Sequence, residues 1–236
     1  MKVLIVNADD FGYTSGVNRG IISAHTEGIV TSTSVMVCGR AAKEAKDLFR
    51  FPQLSVGLHF QIIDRTLEEG LRKRQQVSSQ KLQEVEKEFH TQLKEFEKIT
   101  GSKPTHIDSH HYVHGHPQVN DLFTRYYAAF STPFRNMKNV KLITDFQGMK
   151  ISKESSRGSV SVTGLLHILS KLDNGVSELM CHPGFVDSEL RTISRYAWQR
   201  EKELRTLIDR RISGFIHRSA IRLVNWRDVL VSPTSL

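Results

Sequence analysis

Lys2-Val-Leu-Ile-Val-Asn-Ala-Asp-Asp-Phe-Gly12 opens the chain with a short apolar, β-branched run that ends on two adjacent carboxylates and a Phe-Gly break. A run without polar alternation suits a central parallel strand covered on both faces. Lys2 to Val6 therefore reads as a strand that delivers Asp9 and Asp10 to its C-terminal end. Thr14 or Ser15 can cap the following helix, in which Val17, Ile21, Ile22 and Ala24 recur at helical spacing up to a stop at Gly28. This is a βα unit with two carboxylates at its turn.

The pattern recurs. Thr31 to Val37 reads as a second strand, Ala41 to Phe49 as helical, and Leu54 to Phe60 as a third strand ending on His59. Ser177 to Cys181 reads as a further strand carrying His182-Pro183-Gly184 at its tip. In open α/β sheets and in (β/α) barrels, ligands bind at these C-terminal strand ends because the loops there surround a common axis. Asp64 to Ser79 is polar and basic, as expected of a loop over the mouth. Leu82, Val85, Phe89, Leu93 and Phe96 form the apolar stripe of a helix that Gly101 ends. Val119 to Phe130 and Ser161 to Lys171 read as helices, Pro133 to Arg135 and Val140 to Thr144 as short strands, and Ala220 to Trp226 as the last strand. Ser194 to Ile212 reads as one charged helix with Trp198, Leu204, Leu207 and Ile208 as core contacts, and both tryptophans as packing residues.

The densest chemistry lies in Thr105-His-Ile-Asp-Ser-His-His-Tyr-Val-His114, which holds four of the 11 histidines. If Thr105 to Ser109 is a strand, His106, Asp108 and His110 share one face and Ile107 the other. Imidazole nitrogens and carboxylate oxygens converging on one point make a site for a divalent cation. Asp9 and Asp10 are neighbours, as are His110 and His111, so a regular strand cannot turn both members of either pair to one metal. One carboxylate and two imidazoles, with water in the open positions, is the economical set. Its chemistry is hydrolysis: a cation polarises a carbonyl and activates water, the second aspartate takes the proton, and His182 protonates the departing group.

Length and composition bound the remaining choices. The 236 residues, 39% hydrophobic, fit one domain spanning 1–236. No run of eighteen apolar residues occurs, and the N-terminus reaches acidic residues before a signal-peptide apolar region could be completed, so a cytoplasmic protein with no membrane partner is expected. Cys38 and Cys181 each end an apolar run and read as buried structural thiols. The net charge of +8 permits nucleic-acid binding. The basic residues are spread over Arg72 to Arg74, Lys138 to Lys153, Arg191 to Arg211 and Arg218 to Arg227 without an aromatic-interleaved stripe, so a solvated basic face and no nucleic-acid partner are expected.

Asn7-Ala-Asp-Asp-Phe-Gly12, Gly57-Leu-His59, Pro104-Thr-His-Ile-Asp-Ser-His-His111 with Val113-His114, and Met180-Cys-His-Pro183 together resemble the successive motifs of the YdjC-like carbohydrate deacetylases, the group that includes chitooligosaccharide deacetylase. The resemblance implies an α/β fold of the distorted (β/α) TIM-like barrel type, a homodimer, and removal of acetyl groups from N-acetylated sugars of the N-acetylglucosamine or chitooligosaccharide kind. It implies Asp10, His59 and His110 as metal ligands, Asp9 as general base, His182 as the acid and Arg135 as an arginine that orients the site or binds substrate. Magnesium is implied by resemblance alone; the donor set also suits zinc, manganese, iron or cobalt. Tyr112 stands where relatives commonly carry another histidine and receives no ligand role, and the 64–79 segment is short for the family. Two other readings use the same residues or the same charge: a metal-dependent phosphoesterase or other amidohydrolase, and a non-enzymatic basic binding module.

Overall fold

A computed structural model describes residues 1–148 and 160–229. The chain alternates strands and helices: β1 (Lys2–Phe11), α1 (Ser15–Thr26), β2 (Ser32–Val35), β3 (Ser55–Phe60), α2 (Arg65–Arg72), α3 (Ser79–Thr100), β4 (Ile107–Ser109), α4 (Pro117–Phe130), β5 (Val140–Ile143), α5 (Val162–Ser170), β6 (Gly175–Cys181), α6 (Ser188–Ile193), α7 (Trp198–Leu207), α8 (Arg210–Arg218) and β7 (Ile221–Val224). The strands run in the order β4-β3-β2-β1-β6-β5, with β7 also paired to β1, and every pairing is parallel. The sheet curls into a half-barrel. A parallel bridge between Ile107 and Phe134 extends it beyond β4.

Period-two alternation sorts β1 into two faces. Leu4, Val6 and Ala8 join the large core that also holds Ile21 of α1 and Phe89 of α3, whereas Ile5 packs with Val140, Val224 and Trp226 in a smaller cluster. Asn7 and Asp9 continue the Ile5 face upward, which makes the inner wall apolar at its base and polar towards the strand tips. At those tips β1 stops being regular. Its register against β2 shifts between Ala8 and Phe11, and Asp10 adopts a left-handed φ of 69°. The bulge re-aims the second of two adjacent carboxylates, which a regular strand would have turned to the far face.

Several sequence expectations need correction. Residues 65–72 form α2 rather than a loop, because the Asp64 side chain accepts from the amides of Thr66 and Leu67 and caps the turn. The expected 194–212 helix is broken: α7 ends at Leu207 and α8 starts at Arg210, where Asp209 accepts from the Arg211 amide. Trp198 is 60% exposed and not a core contact, while Trp226 is 1% exposed, as expected of a packing residue. Cys181 is buried but Cys38 is exposed, because β2 ends at Val35, two residues before the expected strand end at Val37. Among the described residues no helix is long and apolar enough to cross a membrane. Residues 149–153 of the basic 138–153 stretch lie outside the described residues.

Candidate active site

Asp10 at the tip of β1, His59 on β3 and His110 just beyond β4 meet at one point. Asp10 Oδ1 lies 3.1 Å from His59 Nε2 and 3.3 Å from His110 Nδ1. Neither contact is aligned as a hydrogen bond, and this buried oxygen has no hydrogen-bond partner among the described residues. A carboxylate oxygen and two imidazole nitrogens crowded together yet unbonded fit a small divalent cation, whose charge would satisfy all three.

The surroundings orient these donors. His59 Nδ1 lies 2.6 Å from Asp108 Oδ1, an arrangement that turns Nε2 towards Asp10. Asp108 Oδ2 in turn accepts from Ser34 Oγ at 2.8 Å and from Asn7 Nδ2 at 3.2 Å. Burial works against a charged His59, but Asp108 and Asp10 outweigh it and push the imidazole up to about 10. The carboxylates thus make the point where Nε2 sits favourable for positive charge, and a bound cation would displace the proton. Asp10 is held well below the usual carboxylate range: burial opposes this, and Arg200 and the two imidazoles overcome it.

Asp9 faces a different partner. Arg135 Nη1 and Nη2 donate to Asp9 Oδ2 and Oδ1, both at 2.7 Å, and Asn7 Nδ2 donates to Oδ1 at 2.8 Å. The same guanidinium lies 2.8 Å from Glu178 and 2.9 Å from Asp108. Arg135 is only 1% exposed and lies behind Asp9, a placement that suits orienting the site. Burial lifts Glu178 to about 7 even with Arg135 beside it.

His182 follows β6, and its Nε2 stands 3.9 Å from Asp9 Oδ2. Burial holds the imidazole down at about 4 despite Asp9 and Asp10 nearby, so it is neutral at neutral pH in the free protein. Its backbone amide donates to Glu203 Oε2 at 2.5 Å, and the Tyr196 hydroxyl donates to the other oxygen of the same carboxylate.

The structure therefore brings together Asp9, Asp10, His59, His110, Arg135 and His182. It does not bring His106 to the site. That imidazole shares the inner face with Asp108 but lies one step lower, stacked on Trp226 at 5.3 Å, and burial holds it neutral with a pKa of about 3. His111 is turned away by a left-handed backbone (φ 53°) and pairs with Glu68 at 2.8 Å. His114 is buried against Phe123 with Nδ1 2.6 Å from Ser109 Oγ. Arg72, Arg74, His111, Tyr112 and His116 line a cleft of about 130 Å³ beside the site. Sequence reasoning assigned no role to Glu178, Arg200 or Glu203. Only Glu178 carried a signal, as an acid in the middle of an apolar strand.

The family described as YdjC-like protein matches residues 3–218. The chain belongs to the YdjC-like family. Relatives in it include a carbohydrate deacetylase of Clostridium beijerinckii, 33% identical over 96% of this chain and 99% of its own length. A chitooligosaccharide deacetylase of Yersinia enterocolitica is 34% identical over 96% and 99% of the two chains. Among solved structures, a protein of Enterococcus faecalis described provisionally as a cellobiose-phosphate cleavage protein superposes with a TM-score of 0.77 at 27% identity, covering 98% of this chain and 99% of that one. A family 4 carbohydrate esterase of Streptomyces lividans, 13% identical with a TM-score of 0.55 over 99% and 95% of the chains, shares the fold. The YdjC-like half-barrel is thus of the α/β barrel type that the family resemblance implied.

Proposed function

We propose that this YdjC-like protein is a cation-dependent hydrolase that removes acetyl groups from N-acetylated carbohydrates of the N-acetylglucosamine or chitooligosaccharide type. The observation that carries the reading is the unbonded meeting of Asp10 Oδ1, His59 Nε2 and His110 Nδ1 beside an arginine-held carboxylate and a neutral histidine. The names of the relatives point to the same substrate class.

In this reading Asp10, His59 and His110 hold the cation, which supplies Lewis-acid polarisation of the acetamide carbonyl and an acidified water. Magnesium is the family expectation; zinc, manganese and cobalt fit the two imidazoles at least as well. Asp9, aimed by the Arg135 fork, takes the proton from the attacking water. His182 is unprotonated at rest, so it must acquire a proton before it can act as an acid. Asp9 Oδ2, 3.9 Å from Nε2, is the nearest source, and His182 then delivers that proton to the sugar amine as the C–N bond breaks. Asp108 keeps His59 in the ligating tautomer.

The substrate class is tested by supplying the metal-loaded protein with N,N'-diacetylchitobiose and, separately, with an aryl phosphate. Acetate release without phosphate release supports the deacetylase. The reverse result transfers the same site to a phosphoesterase.

A further inference from the structure

Helix α7 carries a buried arginine that the reaction described above does not use. Arg200 is 4% exposed, and Nη2 donates to Asp10 Oδ2 at 2.5 Å. Its guanidinium lies 5.6 Å from the ring of Tyr13 and 5.8 Å from that of Tyr196. Nε and Nη1 have no hydrogen-bond partner among the described residues. As a stabilising element this is a poor arrangement, since a buried guanidinium with two unpaired nitrogens bears a desolvation cost that one good ion pair hardly recovers. Among the described residues its one strong side-chain contact is with Oδ2 of Asp10, whereas the two imidazoles approach Oδ1.

We propose that Arg200 is a positioning residue of the metal centre: by engaging Oδ2 it limits Asp10 to a single ligating oxygen, Oδ1, and withdraws negative charge from that ligand. This rests on Asp10, His59 and His110 being the cation site. Its logic is the opposite of the Asp108–His59 contact on the other side of the site. A carboxylate behind an imidazole makes the ligand more basic and tightens the metal. A guanidinium behind a carboxylate makes the ligand less basic, so the cation keeps more of its charge for the acetamide and the water. A like charge this close also repels the cation, and at short range in a buried site that repulsion outweighs the gain from a better-oriented ligand. Arg200 therefore trades cation affinity for Lewis acidity.

Arg200→Met keeps the volume and removes the charge; Arg200→Lys keeps the charge and loses the planar fork. Cation affinity is measured by calorimetric titration of the chelated full-length proteins with cobalt(II), the thermal midpoint by calorimetry, and kcat and KM by acetate release at saturating metal. For Arg200→Met the expected result is a folded protein that binds cobalt at least about fivefold more tightly and turns over at least about tenfold more slowly, with KM little changed. Arg200→Lys is expected between the two on both measures. Tighter binding with slower turnover is not what damage to the fold produces, since that weakens both together. Weaker binding and slower turnover in Arg200→Met, or wild-type values of both, overturns the proposal. If Arg200→Met does not fold, Arg200→Lys decides: wild-type affinity and kcat, or a loss of both, contradicts it. Wild-type protein that binds no cobalt or releases no acetate would instead refute the metal-dependent deacetylase reading.

Discussion

Arg135 grips both oxygens of Asp9 through two parallel hydrogen bonds of 2.7 Å, reaching from the chain after α4 to the tip of β1. A fork of this kind fixes the plane of the carboxylate as well as its position. We expect Asp9→Asn to fold and to bind the cation as wild type does, and to lose at least about 100-fold in kcat, the usual contribution of a positioned base. Calorimetric metal titration and acetate release on the same preparation check both halves.

Arg135 also neutralises Asp108 and Glu178, so its removal strands buried carboxylates. Arg135→Met is expected to cost about 3 to 5 kcal/mol of stability, as for other broken buried ion pairs. Urea unfolding measures this. A loss below 1 kcal/mol would show that the carboxylates simply take up protons.

Asp108 contacts His59 Nδ1 and stands outside the Asp10–His59–His110 meeting point, so its expected effect on the proposed cation is indirect. Asp108→Asn should weaken metal binding by about 10- to 100-fold, against near-complete loss for His59→Ala or His110→Ala. Equal effects from all three would place Asp108 among the ligands themselves.

Much of this site was legible in the chain. Asp9, Asp10, His59, His110 and His182 stand at or just beyond the C-terminal ends of predicted strands, and that placement alone brings them to one end of a parallel sheet. Which of the paired aspartates faces the two histidines was not legible from spacing, because it depends on the bulge at Ala8 to Phe11 and the left-handed φ of Asp10. Arg135 lies in a segment joined to the sheet by one bridge, too short for any periodic signal. Arg200 and Glu203 sit among so many charges on α7 that nothing in the sequence marks them as the buried ones. His106 was read as a neighbour of the ligands because period two fixes a side chain's face but not its height along the strand.

Gly57 is the reason His106 can lie where it does. A Cβ at Gly57 would come within 2.5 Å of His106 Cε1, and Trp226 stacks on that imidazole at 5.3 Å, leaving the ring little room to yield. Gly57→Ala should cost about 1 to 3 kcal/mol, lowering Tm by roughly 3 to 10 °C. An unchanged Tm in differential scanning calorimetry would show that the base of the half-barrel is looser than described.

The same histidine predicts a pH dependence. His106 is held at about 3 in the fold by burial, against 6.5 ordinarily, so the unfolded chain takes up a proton that the native protein refuses. The associated stability is fully present above pH 6.5 and is lost as pH falls towards 3. Glu178 and Glu203, both raised to about 7 by burial, change stability in the opposite sense over part of this range, so the wild-type profile alone is not diagnostic. The comparison with His106→Gln is. Between pH 6.5 and 5, urea unfolding of the metal-free proteins should show wild type losing about 2 kcal/mol more than the variant. Parallel profiles would contradict the neutral buried imidazole.

Whether a cation held by Asp10, His59 and His110 drives removal of acetyl groups is measured by acetate release from N,N'-diacetylchitobiose by chelated protein with magnesium, zinc, manganese or cobalt added back. No release is expected without metal, with recovery on adding at least one of the four and no recovery in Asp10→Asn or His110→Ala at the same metal concentration. Full activity in the chelated protein, or metal-restored activity that survives loss of these ligands, would contradict that expectation.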